Sequence, residues 1–224
     1  MSSDKLKVAR KLLAVHPKWF EALGIYDETV VIVTSDHGED LGLHGLWGHG
    51  TLHETTVRVP LILRDPRGPK GRRVSGFVQH VDDLPTILEY FPPQDRPGFG
   101  RIAHNMPEVP DEFDGQSLLS LVRGEREARE EIVVESEKYR AYISPPWKLI
   151  WSREGKVELF NLDEDPLELC DRSRDERAAL EELSEKLRLW VEENLKGERT
   201  DPMFATDGAW TCYIGRKEEG GVGM

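Results

Sequence analysis

An α/β domain with a small α+β appendage is the fold class this sequence predicts, and three observations predict it. The first half alternates short aliphatic runs with helical stretches. The second half sets three strand-like runs close together, and one long amphipathic helix follows them. The implied organisation is a core over residues 1–125, a small antiparallel sheet with a covering helix over 126–196, and a loosely ordered tail over 197–224.

Leu6 to Leu23 places Val8, Leu12, Leu13, Phe20 and Leu23 at helical spacing, with a break expected at Pro17. Thr29 to Thr34 is continuously apolar and β-branched, the pattern of a strand buried on both faces of a parallel sheet. "VRVPLIL", Val57 to Leu63, reads as a second strand, with Pro60 confined to an edge, a bulge or the strand's first residue. After the turn-rich "DPRGPKGRR", the run "VSGFVQHVDDLPTILEYF" passes from strand into helix. Asp82 or Asp83 is available as N-cap and Pro85 lies in the first turn.

Pro92 to Phe113 is rich in Pro and Gly and reads as a long surface loop. "FDGQSLLSLVRGE" is a short amphipathic helix or turn. "EIVVESEKYRAYIS", "WKLIWSRE" and "VELFNL" are the strand-like runs, with "REGK" as a hairpin turn between the last two. "ERAALEELSEKLRLWVEENL" closes the fold with an apolar stripe of Leu180, Leu183, Leu187, Trp190 and Val191.

The chain has 224 residues and a formal net charge of -12, which argues against nucleic acid as a partner, because phosphate binding needs clustered Lys and Arg. No apolar run reaches membrane-spanning length, and no apolar segment follows the first residues as a secretory signal would. The expected location of the chain as written is therefore cytoplasmic, with no membrane partner. Two cysteines, Cys170 and Cys212, are too few for a disulfide framework, and their spacing matches no zinc motif.

The informative stretch is "TVVIVTSDHGEDLGLHGLWGHGTLHE", Thr29 to Glu54. Ligands of open α/β sheets bind beyond the carboxyl ends of strands, which is where Asp36, His37 and Gly38 fall. Gly38 lets the chain bend there, and a carboxylate beside an imidazole is a common ligand pair for a divalent metal. Taken alone, the same pair also reads as a loop-capping Asp beside an ordinarily hydrogen-bonded His.

The context resembles the metal-binding strand and loop of the sulfatases, in the alkaline phosphatase superfamily. That family's pattern is a strand ending in Ser/Thr-Asp-His/Asn-Gly-Glu, followed by Leu-Gly-x-His-Gly, Gly-Lys-Gly, a Glu, and Arg-Val-Pro-Leu. Downstream, "VQHVDDLPTILEYF", "FDGQSLLSLVRGE" and "WKLIW…VELFNLDEDPLEL" are similar to further family segments in the same order. The likeness covers roughly Gly24 to Glu193. It implies a sulfatase/alkaline-phosphatase-like sheet portion over 1–125. It also implies Asp36 and His37 as ligands of a divalent cation, Ca²⁺ foremost with Mn²⁺ or Mg²⁺ as alternatives. His49 stands where the family commonly has a Lys that contacts the substrate, which implies a catalytic and substrate-binding role for its imidazole. His44 and His53 are expected on the loop as supporting or solvent-facing groups.

The likeness also exposes an absence. The family's nucleophile motif, Cys-x-Pro-x-Arg, and its early Asp-Asp are not in this sequence. "CYIGR", Cys212 to Arg216, keeps the Cys and Arg but has Ile214 in place of Pro, and reads as an ordinary tail segment. The expectation is the C-terminal portion of a sulfatase acting on a sulfate-ester small molecule or glycan, inactive alone, with an upstream segment or partner chain completing the site. The alternatives are a phosphodiesterase or phosphonate monoester hydrolase of the same superfamily, with a second metal at His49, and a non-catalytic remnant or partner subunit.

Overall fold

A computed structural model describes residues 18–91 and 113–195 together with Asp201 and Met203. Most of the expected tail, Cys212 with it, most of the Pro/Gly-rich loop, and the start of the first expected helix with its break at Pro17 lie outside the described residues. Those described form two compact units. One holds Val33–Leu61 and the described residues from Glu131 onward; the other holds the described residues up to Ile32, and Ile62–Glu130.

The first unit is built on a four-stranded antiparallel sheet: β3 (Ile132–Glu135), β4 (Tyr139–Ser144), β5 (Trp147–Ser152) and β6 (Val157–Asn161), in that order. The run expected as one strand, "EIVVESEKYRAYIS", is two, because Ser136 closes a turn: its backbone N–H donates to the Tyr139 carbonyl at 2.9 Å. β4 turns into β5 through the cis Pro145–Pro146 bond, and the expected turn after β5 has Gly155 at φ 83°.

Alternation along β5 gives the sheet two covered faces. Leu149 and Trp151 join Leu159, Leu183 and Leu187 in one core, against the helix α4 (Arg177–Asn194). Leu180 and Val191 pack beside them, as the helical stripe predicts. On the opposite face Ile150, Ala141 and Phe160 meet Leu52, from the glycine-rich loop. Burial on both faces explains why "WKLIW" has no polar alternation. Lys148, on the Ile150 face, is the exception and is wholly buried. Arg140 on β4 pairs with Asp201 and with Glu135.

In the second unit residues 18–22 are helical, and the aliphatic run forms β1 (Val31–Val33), paired with β2 (Ile62–Arg64). Both strands are only half-buried, unlike the fully covered strand the composition predicts; among the described residues β1 has β2 alone as its ladder neighbour. Glu54 to Val57, which belongs to the first unit, is a single helical turn, α1, so the second strand starts at Ile62, after Pro60. Asp82 is followed by α2 (Asp83–Glu89), and Ser117 caps α3 (Leu118–Arg123) by accepting from the Leu119 N–H at 3.2 Å.

Asp82 occupies the N-cap position of α2, yet its side chain does not cap that helix. It is fully buried and accepts from the backbone N–H groups of Gln79 and Gln116 and, in bidentate fashion at 2.7 and 2.8 Å, from Arg129. Burial pushes this carboxyl up, but Arg129 and the two N–H groups outweigh it and hold the group below the usual carboxylate range. A Cβ on Gly115 would meet the Val81 carbonyl oxygen at 1.8 Å, so only glycine allows that approach.

Candidate active site

Asp36 to His53 lies within the first unit. The backbone N–H of Gly38 donates to the Thr56 carbonyl at 2.7 Å, and a Cβ there would sit 2.0 Å from the Thr55 carbonyl oxygen. The strand end is thereby pinned against α1 by a contact only glycine permits. Asp36 projects outward with its side chain 85% exposed. Its Oδ1 accepts from the His37 N–H at 2.9 Å and from the Ser35 hydroxyl at 3.4 Å. The His37 N–H foremost holds its carboxyl below the usual range.

His37 Nδ1 lies 2.9 Å from the Gly38 carbonyl. A carbonyl only accepts, so Nδ1 carries the proton and Nε2 presents a lone pair. That Nε2 faces Asp36 Oδ2 at 3.6 Å. Two acceptors facing one another at that separation suit a shared cation, and the donor set, one carboxylate and one neutral imidazole, fits a divalent ion. The His49 ring stacks on that of His37 with centroids 3.7 Å apart, and its Nδ1 donates to Glu39 Oε1 at 2.9 Å. The structure therefore brings the three sequence-predicted residues together. It adds Glu39, which the sequence reading did not single out: His37, Glu39 and His49 offer ligand atoms within 4.8 Å of one another.

The loop reaches this arrangement through left-handed backbone at Leu41, Gly42, His44, Gly45 and Gly48. That is the physical reason for its glycine content. His44, at φ 56°, is costly for a side chain by about 1–2 kcal/mol. Its Nε2 compensates by lying 2.9 and 3.0 Å from the Leu167 and Glu168 carbonyls. His53 is not solvent-facing: it is 7% exposed, stacks on His44 at 3.7 Å, and meets Phe160 edge-on. Burial foremost pushes its pKa down to about 4.

Beneath the loop Lys148 Nζ lies 3.0 Å from Glu54 Oε1 and 2.8 Å from Glu168 Oε1, and Glu168 Oε2 accepts from the Glu54 N–H at 2.5 Å. Burial pushes the Glu168 carboxyl up, with Lys148 opposing. A lysine amid the aliphatic residues of β5 was the available sequence signal for this triad. Its carboxylate partners lie 94 and 20 residues away along the chain, out of reach of any local pattern.

Residues 17–92 match the family model described as Sulfatase. Choline-sulfatase of Rhizobium meliloti (strain 1021) is 28% identical over 162 residues, which is 70% of this chain and 29% of that protein. The chain thus spans about three tenths of the length of that relative. Among solved structures, BT4656 in complex with its substrate D-glucosamine-2-N,6-O-disulfate superposes with a TM-score of 0.62 at 24% identity, covering 82% of this chain and 37% of that one. The phosphonate monoester hydrolase of Agrobacterium radiobacter gives a TM-score of 0.62 at 24% identity, over 86% of this chain and 40% of that one. Both likenesses are of fold. Among the described residues no helix is long and apolar enough to cross a membrane.

Proposed function

This chain belongs to the sulfatase family, within the alkaline phosphatase superfamily, and we propose that it carries part of the site of a divalent-cation-dependent sulfuric ester hydrolase. The observation that carries the reading is the strand end, where Asp36 Oδ2 and the lone pair of His37 Nε2 face one another at 3.6 Å. Asp36 and His37 are the residues that would hold the cation, Ca²⁺ by preference for a carboxylate-bearing site. When bound, the ion supplies positive charge beside the oxygens of the transferring group.

His49 acts on the leaving oxygen. Glu39 holds its Nδ1–H, which fixes the ring and leaves Nε2 to meet the substrate. Protonated there, Nε2 donates to the departing alkoxide oxygen, and Glu39 stabilises the imidazolium before transfer. The nucleophile motif is absent from this sequence, so residues outside it supply the attacking group, and two protein ligands alone bind Ca²⁺ weakly. The substrate class is a sulfate ester, of a small molecule or a glycan.

Calorimetric titration of the chain with Ca²⁺ tests the ligand assignment. Weak saturable binding is expected, lost in the Asp36→Ala/His37→Ala double variant; binding that survives the double change overturns it. The chain alone is expected not to turn over p-nitrophenyl sulfate, and turnover abolished by Cys212→Ala would refute an external nucleophile. One observation favours a second reading. The convergence of His37, Glu39 and His49 suits a second cation and phosphate or phosphonate esters, which a preference for p-nitrophenyl phosphate by the nucleophile-complete protein would reveal.

A further inference from the structure

Behind the strand end, on the sheet side of the loop, lies a second constellation. Asp40 is 1% exposed and His53 7%, and the side chain of His44 is 11% exposed. The three offer ligand atoms within 4.8 Å of one another. His44 Nε2 faces two backbone carbonyls, Leu167 and Glu168, so it is the protonated nitrogen and Nδ1 is a bare lone pair. That lone pair lies 3.7 Å from Asp40 Oδ1. The distance is too long for an N–H···O bond, and it sets a buried acceptor against a carboxylate. His53 Nδ1 is likewise buried without a hydrogen-bond partner, as is His44 Nδ1.

We propose that Asp40, His44 and His53 form a buried site for a d-block divalent cation of the Zn²⁺ class, separate from the strand-end ligands Asp36 and His37. Two imidazoles and one carboxylate are a donor set that suits Zn²⁺ and leaves one position of a tetrahedron open. The surrounding contacts are those that ready such ligands. The Leu167 and Glu168 carbonyls fix the tautomer of His44, and the hydroxyls of Thr51 and Thr55 orient Asp40 at 2.9 and 2.5 Å. Each carboxylate oxygen of Asp40 keeps a further lone pair after accepting its hydroxyl. The neighbouring charge of Lys148 is matched by Glu54 and Glu168. Because the two rings are stacked with only 10° between their planes, they open about their Cβ–Cγ bonds when both Nδ1 atoms turn to one ion. The ion then ties Asp40 and His44 to His53, closing the loop that carries His49 on itself.

The test is a Co²⁺ titration of the whole chelator-treated chain, followed by visible absorption. One equivalent is expected to give the intense bands of tetrahedral Co²⁺, and Zn²⁺ is expected to abolish them by displacement. His44→Gln and His53→Gln each lower the affinity by more than the roughly 10–100-fold that losing an outer hydrogen-bond partner costs, whereas Asp36→Ala/His37→Ala leaves the bands in place. Should a variant fail to fold, ¹⁵N spectra of the histidine rings in the unaltered chain decide. Zn²⁺ is expected to shift Nδ1 of His44 and His53. No saturable binding, or shifts confined to His37 and His49, overturns the proposal. Ca²⁺ binding at Asp36 and His37 is read independently, so failure of either site leaves the other standing.

Discussion

Replacing Lys148 by Met isolates the buried triad. The ammonium is wholly buried, 3.0 Å from Glu54 and 2.8 Å from Glu168. At an effective dielectric near 20 each attraction is worth about 6 kcal/mol before desolvation. Removing one partner of a buried pair typically costs about 3–5 kcal/mol, a large part of the roughly 5–15 kcal/mol that holds a domain folded. Met preserves the stem's packing, so the loss is electrostatic. Its pH dependence has a fixed sign. Burial already raises the Glu168 carboxyl, with Lys148 pulling it back; without Lys148 it rises further. A carboxyl that holds its proton more tightly folded than unfolded loses stability as pH rises between its unfolded and folded values. The deficit of Lys148→Met should therefore be smaller near about pH 5 than near about pH 8. Urea unfolding followed by tryptophan fluorescence reads both, and Lys148→Met/Glu54→Gln/Glu168→Gln should recover most of the loss. A deficit under about 1 kcal/mol, or one equal at the two pH values, would refute the assignment of Lys148 as the counter-charge of these carboxylates.

Arg129→Leu leaves the buried Asp82 carboxylate without its bidentate partner and should cost about 3–5 kcal/mol, measured by the shift in urea midpoint; Arg129→Leu/Asp82→Leu should be less unstable than the single change. Leu187→Ala, at the fully buried centre of α4, should cost about 2–5 kcal/mol by the same assay. Gly38→Ala forces a Cβ to 2.0 Å from the Thr55 carbonyl oxygen. The strand end must shift, and calorimetry should find Ca²⁺ binding lost even where circular dichroism shows the sheet intact.

What the sequence made legible was local. The α4 stripe and the Gly155 turn follow from periodicity and turn chemistry within a few residues, and both stand in the structure. Motif order singled out Asp36, His37 and His49, and the structure sets His37 beside each of the other two. Failures came where distant partners decide. Glu54 to Val57 turns helical although Val57 was read into the following strand; Glu168, accepting from the Glu54 N–H, and Gly38, donating to the Thr56 carbonyl, hold that turn from elsewhere in the chain. Asp82 gave up the helix cap for Arg129, 47 residues away. His53 looked like a loop residue, and only the packing of Leu52 onto Ile150 and Phe160 carries it inside. Asp40 and His44 were readable as an i, i+4 pair, but nothing local announces His53 as their neighbour.

The placement of Lys148 in β5 also discriminates against misfolding. Shifting β5 by one position would deliver its ammonium into the apolar layer of Leu183 and Leu187 and set Leu149 against two carboxylates. An all-aliphatic β5 would lose little by that error, since both its sides are greasy. One charge in the middle of the strand makes the mistaken pairing unaffordable, so the loop above always meets the same side of the sheet.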